Sequence, residues 1–369
     1  MKKRRPEIDW LRIGAVLLLF DFHAALIFTP AEFYLQAGEK SRLLYAFVLF
    51  VKPWLYPLFF FLCGAAAFHS LSVRSRAEYV KDRSLRLLVP LAFGVPVLAA
   101  PQAYLHALKE GSFAGGFIEW LGVFFFESFD WCHLWFLAYL FVFSMICLPL
   151  FEAAIRRKQE VPRWWSRFSR PAAVMFLLAL VPAALEAGLR SAFPPAARHF
   201  FQDWADVLIF LFFFAAGFWF QFEDRFSEAL DRYGRYAAAG ALALTAAMFG
   251  LMASGTALTP SSPAFAGFRF LWGLAGWFWV VTIMAVGRAY LTFENGLRSY
   301  ANQAALPLYL IHQTAIVGAG FWLLRIETHV LLQFFMIDLA AFFITILLYQ
   351  AIIKRTTPLR LLFGMRRKE

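Results

Sequence analysis

Ten mostly apolar stretches recur along this chain, near 10–30, 45–71, 85–105, 132–153, 171–190, 203–222, 236–254, 267–291, 302–324 and 330–353. Each has about the 20 residues a helix needs to cross a hydrocarbon core, where unsatisfied backbone groups are not tolerated. Composition agrees: 61% of residues are hydrophobic and only 16% charged, too little polar surface for a water-facing exterior. This excludes an ordinary soluble enzyme, a disordered chain and a typical nucleic-acid-binding domain. The expected fold is an all-α polytopic membrane protein, read as one transmembrane domain over 1–369. The second stretch contains Pro53 and Pro57, which transmembrane helices tolerate as kinks. Phe113–Phe129 is too short to span and ends in acids, which suits an interfacial or re-entrant helix. The basic start Lys2–Arg5 precedes a long apolar run holding Arg12, so no cleavable signal peptide is expected.

Lysine and arginine positions give the orientation. The connections on one side of the ten crossings, with both termini, hold 25 of the 35 basic residues; the opposite connections hold 5. The remainder lie within or at the ends of spans. Both termini are therefore expected in the cytoplasm, and the formal charge of +11 is mostly a topology signal rather than a nucleic-acid footprint. Cys63, Cys132 and Cys147 offer neither a disulfide framework nor a metal spacing, and no metal is expected.

Ionisable side chains within spans are costly and mark functional sites. On the first helix Arg12 and His23 are eleven residues apart, three turns plus about 20°, so they share a face about 16 Å apart. A fixed cation near the cytoplasmic boundary and a titratable imidazole deeper in suit an anionic cofactor and proton chemistry. A snorkelling arginine with an unrelated histidine is the plainer explanation. Arg83 and Arg86, at i and i+3 before the third span, would share a helix face and grip phosphates, or simply anchor the cytoplasmic side. Asp130, His133 and Trp135 open the fourth span on the outer side. Rings and polar groups there suit a polyhydroxylated ligand, as an aromatic belt also would. His312, beside Gln313, falls mid-way along the ninth span, where an interhelical hydrogen bond is the alternative explanation. Asp21 lies two residues from His23 and faces elsewhere. Glu127, Glu186, Asp206 and Asp338 are further acids without an assignable partner.

In order along the chain, Arg12-(ten residues)-His23, Phe59-Phe60-Phe61-Leu62-Cys63-Gly64, Arg83-x-x-Arg86, His133-Leu-Trp-Phe-Leu137 and Tyr309-Leu-Ile-His312 resemble the acyltransferase 3 family of integral-membrane O-acyltransferases. The resemblance spans nearly the whole chain. Within the family it is similar to the compact, glucan succinyltransferase-like members without an appended extracytoplasmic domain; Cys63 is a departure, where relatives often carry Ser or Ala. It implies transfer of an acetyl- or succinyl-type group from cytoplasmic acyl-coenzyme A to a hydroxyl of an envelope glycan or lipid-linked saccharide, in the bacterial cytoplasmic (inner) membrane. Coenzyme A would be a co-substrate, with no tightly bound cofactor. On this resemblance His23 is the general base, Arg12 orients the donor or offsets negative charge, and Arg83 and Arg86 hold coenzyme A phosphates. Asp130, His133 and Trp135 would shape the acceptor's approach, and His312 would complete the polar core.

A multi-spanning transporter or flippase for a saccharide is the alternative, although no inverted halves with paired broken helices are seen. A covalent acyl-histidine or acyl-cysteine route is a second one, weakened by cysteines without a neighbouring base in sequence. Arg190, Arg198 and Arg269 suit a carboxylated acyl chain or acceptor, or an ordinary outer surface. Neither the acyl group nor the acceptor is named by the sequence, and association into a homo-oligomer stays open.

Overall fold

The computed structural model describes residues 5–157, 171–193, 202–260 and 262–365. Arg198, one of the three outer arginines, lies outside them. Among the described residues the regular structure is entirely helical. Among the described residues nine helices are long and apolar enough to cross a membrane, and the chain is an all-α polytopic membrane protein. The elements are α1 (Pro6–Leu26), α2 (Arg42–Leu71), α3 (Arg76–Glu110), α4 (Phe117–Phe126), α5 (Cys132–Arg156), α6 (Ala172–Leu189), α7 (Trp204–Phe222), α8 (Asp224–Ala253), α9 (Pro263–Tyr290), α10 (Gly296–Leu323), α11 (Val330–Ile353) and α12 (Thr357–Leu362).

Nine of the ten expected spans correspond to α2, α3 and α5–α11. The first, α1, is a 21-residue helix but is not among the nine, because Glu7, Asp9, Arg12 and Asp21 interrupt its apolar run. The apolar stretch before the fourth span forms only the ten-residue α4, with Ile118, Phe125 and Phe126 exposed.

The chain divides into two compact units. The first holds Met1–Arg12, Lys52–Val80 and Val142–Asn295. Within it α2 and α7 touch backbone to backbone: a Cβ on Gly64 would meet the Phe214 carbonyl, and one on Gly217 would meet the Phe61 carbonyl. Small residues permit this approach between apolar helices, where dispersion rather than water exclusion drives packing. Phenylalanines fill the space beside it, Phe60 on Phe210 at 4.7 Å and Phe151 on Phe218 at 3.7 Å between ring centroids.

The second unit holds Ile13–Val51, Lys81–Phe141 and Gly296–Glu369. Here α3 contains two wide π-turns, Ser84–Leu88 and Val95–Ala99, close to Pro90, Pro96 and Pro101. Proline removes an N–H donor and crowds the carbonyl four residues back, and a locally wider turn relieves that conflict. Three successive carbonyls at the second π-turn accept side-chain donors. Leu98 O takes Thr314 Oγ1 at 3.1 Å, Ala99 O takes Cys132 Sγ at 3.6 Å and Ala100 O takes Trp120 Nε1 at 3.1 Å. A proline-rich stretch thereby becomes a set of fixed acceptors for neighbouring helices.

Candidate active site

Three histidines from separate helices meet in the second unit: His23 of α1, His133 of α5 and His312 of α10. His23 is 3% exposed, His133 4% and His312 fully buried. Ring centroids are 5.0 Å apart for His23 and His312, and 5.2 Å for His133 and His312. Buried imidazoles require partners, and those partners assign the protons.

His133 Nε2 lies 2.7 Å from the Leu310 carbonyl. A carbonyl only accepts, so Nε2 carries the proton and Nδ1 the lone pair. That lone pair accepts from Gln102 Nε2 at 3.3 Å, while Gln102 Oε1 accepts from Gln313 Nε2 at 3.1 Å. His312 has the opposite tautomer: Nδ1 donates to the Tyr309 carbonyl at 2.5 Å, leaving Nε2 to accept. It lies 3.1 Å from His23 Nδ1, which is also 3.0 Å from the Leu19 carbonyl. Both neighbours are acceptors, so His23 Nδ1–H is shared between them, as three-centre bonds allow. The lone pair of neutral His23 then sits on Nε2. This arrangement gives a base at Nε2 and two acceptors to stabilise the imidazolium formed when it takes a proton. Each of the three imidazoles thus binds a main-chain carbonyl, and His23 and His312 also bond each other.

The loop between α1 and α2 lies against this cluster, with Phe33 stacked on His23. The loop is pinned by Ala37 N to Ile27 O and Ser41 N to Phe28 O, both at 2.9 Å. Tyr34 donates to Asp130 Oδ2 at 2.5 Å, and His106 Nδ1 donates to the Tyr34 carbonyl at 2.8 Å. The other Asp130 oxygen accepts from Cys132 N at 2.8 Å. Cys132 has φ +50°, a conformation that turns the chain into His133. Burial, with neighbouring Cys132 and Asp130, holds the Tyr34 phenol well above its usual range, so Tyr34 stays the donor. Phe33 lies nearly parallel to His23 at 5.9 Å and 27°.

The structure distributes the sequence-derived site residues as follows. His133 belongs to the histidine cluster, and Trp135 is buried against Tyr139 at 5.2 Å between centroids. Asp130 holds the Tyr34 loop. Arg83 and Arg86 do not follow the i, i+3 alignment of an uninterrupted α-helix, because the π-turn Ser84–Leu88 starts between them. Arg86 Nε donates to the Gly364 carbonyl at 3.2 Å. Arg12 lies in the first unit, bonded to buried Asp9 at 2.7 Å. Gln102 and Tyr34 were missed; a glutamine within an apolar span was the available signal for the first.

Arg190 and Arg269 are not poised for an acyl carboxylate. In the first unit Arg190 donates to Glu186 at 3.2 Å, to Asp203 at 3.0 Å and to Asp206 at 2.6 Å. Arg269 also binds Glu186 and lies over Trp272 at 4.9 Å. Three acids therefore already surround the two guanidinium groups.

Comparison with known proteins gives a consistent outcome. The family model described as an acyltransferase domain, Acyl_transf_3, matches residues 5–353. The chain is similar to "Glucans biosynthesis protein C" of Escherichia coli strain K12 / DH10B, 24% identical over 336 residues, covering 87% of this chain and 84% of the relative. The protein of the same description from Escherichia coli O1:K1 / APEC shows the same identity and coverage. No solved structure matches the chain.

Proposed function

The chain belongs to the acyltransferase 3 family of membrane proteins, and from that premise we propose that it transfers an acetyl- or succinyl-type group from acyl-coenzyme A to a hydroxyl of an envelope glycan or lipid-linked saccharide. The glycan class is supported by the description of its glucan-biosynthesis relatives. The bacterial cytoplasmic membrane is the proposed location, with the donor on the basic side and the acceptor opposite. The observation that carries the chemistry is the 3.1 Å contact between His23 Nδ1 and His312 Nε2, since it turns the His23 lone pair onto Nε2.

The proposed reaction runs through His23. Nε2 takes the acceptor hydroxyl proton as the oxygen attacks the thioester carbonyl. Positive charge on His23 is shared through Nδ1–H with Leu19 O and His312 Nε2. The tetrahedral oxyanion collapses, the C–S bond breaks, and His23 returns the proton to the departing thiolate. No proton is gained or lost overall, so the buried base needs no exchange with water in each cycle. His312 is a positioning residue that fixes the tautomer. His133, Gln102 and Gln313 hold α10 and α3 in register beside it. Arg12, fixed by Asp9, is assigned to the donor's negative charge, and Arg83 and Arg86 to coenzyme A phosphates.

Purified protein in lipid nanodiscs, given acetyl- or succinyl-coenzyme A and a glucan oligosaccharide, is expected to release coenzyme A thiol only when both substrates are present. His23→Ala at normal abundance should lose that release, because a general base contributes about 10²–10⁴-fold. Saccharide movement across the bilayer without thiol release would identify a carrier instead.

A further inference from the structure

We infer that Phe33 is the platform on which a sugar ring of the acceptor stacks beside His23. The inference rests on the acyltransfer reading above for its saccharide acceptor. Phe33 is partly exposed and lies at 27° to the His23 ring with centroids 5.9 Å apart. It also meets Tyr34 edge-on at 5.7 Å. An aromatic ring brings no charge and no hydrogen bond, only a flat face. The C–H face of a pyranose matches such a surface, and a ring held there presents its hydroxyls at its edge.

The loop around Phe33 is more firmly tied than packing of one phenylalanine requires. Tyr34 is bonded at both ends, its phenol to Asp130 and its carbonyl to His106. Asp130 in turn bonds the backbone of Cys132, next to His133 of the histidine cluster. One continuous set of bonds therefore fixes Phe33 relative to the histidines. Positioning of this kind matters because a reacting hydroxyl must lie within about 3–3.5 Å of its partner atoms. Asp130 acts on the acceptor through Tyr34 and Phe33, without touching it.

Binding of a glucan oligosaccharide to the full-length protein in nanodiscs, measured by calorimetry without donor, tests the platform apart from turnover. Phe33→Ala and Phe33→Leu are each expected to weaken binding about five- to tenfold, the scale of a stacked ring. Phe33→Tyr and Phe33→Trp should restore it. Leu fills much of the same volume without a π-face, so a mere packing role predicts that Phe33→Leu behaves as wild type; that result would overturn the platform. Absence of any saccharide binding by the wild type overturns it too. In turnover, Phe33→Leu should raise the acceptor KM by the same factor and leave the acyl-coenzyme A KM unchanged. Phe33-dependent binding with no thiol release from any donor would instead defeat the acyltransfer reading and leave the platform standing.

Discussion

His312 Nε2 lies 3.1 Å from His23 Nδ1, and these two nitrogens cannot both carry protons while each ring is neutral and His312 donates to Tyr309. One imidazole therefore dictates the tautomer of the other. The Leu19 carbonyl supports the same assignment, so removing His312 should weaken the base without abolishing it. His312→Ala is expected to lower kcat about tenfold, equivalent to one hydrogen bond of about 1.4 kcal/mol, with both KM values unchanged. His312→Gln, whose amide oxygen can accept, should recover part of the loss. Initial rates of coenzyme A thiol release check this. A wild-type kcat for His312→Ala would remove His312 from the mechanism.

Gln102 joins α3, α5 and α10 by donating to His133 and accepting from Gln313. Interhelical hydrogen bonds in membranes average about 0.6 kcal/mol. Gln102→Leu goes further, because it strands a donor on Gln313 and an acceptor on His133 in a buried place. The loss should approach the upper part of the 1–3 kcal/mol range for unsatisfied groups. Thermal unfolding followed by size exclusion should show a lower midpoint for Gln102→Leu and a smaller fall for Gln102→Glu. Equal midpoints for wild type and Gln102→Leu would contradict the network.

The apolar runs exposed nine of the spans directly, because length and hydropathy are local properties of the chain. The histidines were also legible as polar residues in apolar surroundings. Their meeting was not: His23 and His312 are 289 positions apart, and only packing between helices sets which side chains touch. Local regularity misled in one place, where the i, i+3 spacing of Arg83 and Arg86 presumed an α-helix that the π-turn widens. Arg190 and Arg269 were open to a ligand-binding reading because Glu186, Asp203 and Asp206 reach them only after folding. Gln102 was overlooked because an uncharged amide leaves little mark on a charge-based reading.

Arg190 holds three acids at 2.6–3.2 Å, and both Asp203 and Glu186 are buried with it. Among the described residues, Arg190→Ala would leave Arg269 as the remaining cation on those carboxylates, bonded to Glu186. Breaking a buried pair by removing one partner costs about 3–5 kcal/mol. A large fall in the unfolding midpoint is expected, with only slight relief from Arg190→Lys, since an ammonium cannot serve three carboxylates in the fork geometry of a guanidinium. The ratio of acetyl to succinyl transfer should not change in Arg190→Lys. A shift in that ratio would restore Arg190 to substrate recognition.

Arg86 and Gly364 give the donor side its own test. Gly364 has φ +68°, and a Cβ there would meet Leu306 and the Arg86 carbonyl. Gly364→Ala therefore combines a left-handed backbone that favours glycine with a clash against the segment that bears Arg86. If the bond from Arg86 Nε to Gly364 O orients the guanidinium for a phosphate, both Arg86→Ala and Gly364→Ala should raise the KM for acyl-coenzyme A and leave the acceptor KM alone. Arg86→Ala should have the larger effect, about tenfold or more, because charge-assisted bonds to phosphate contribute about 1.5–3 kcal/mol. Arg86→Lys keeps the charge but loses the planar fork, so it should fall between. Steady-state kinetics with each substrate varied in turn separates the cases. Unchanged donor KM in Arg86→Ala, alongside a lower unfolding midpoint, would make this arginine a clasp for the C-terminal segment and move the phosphate site elsewhere.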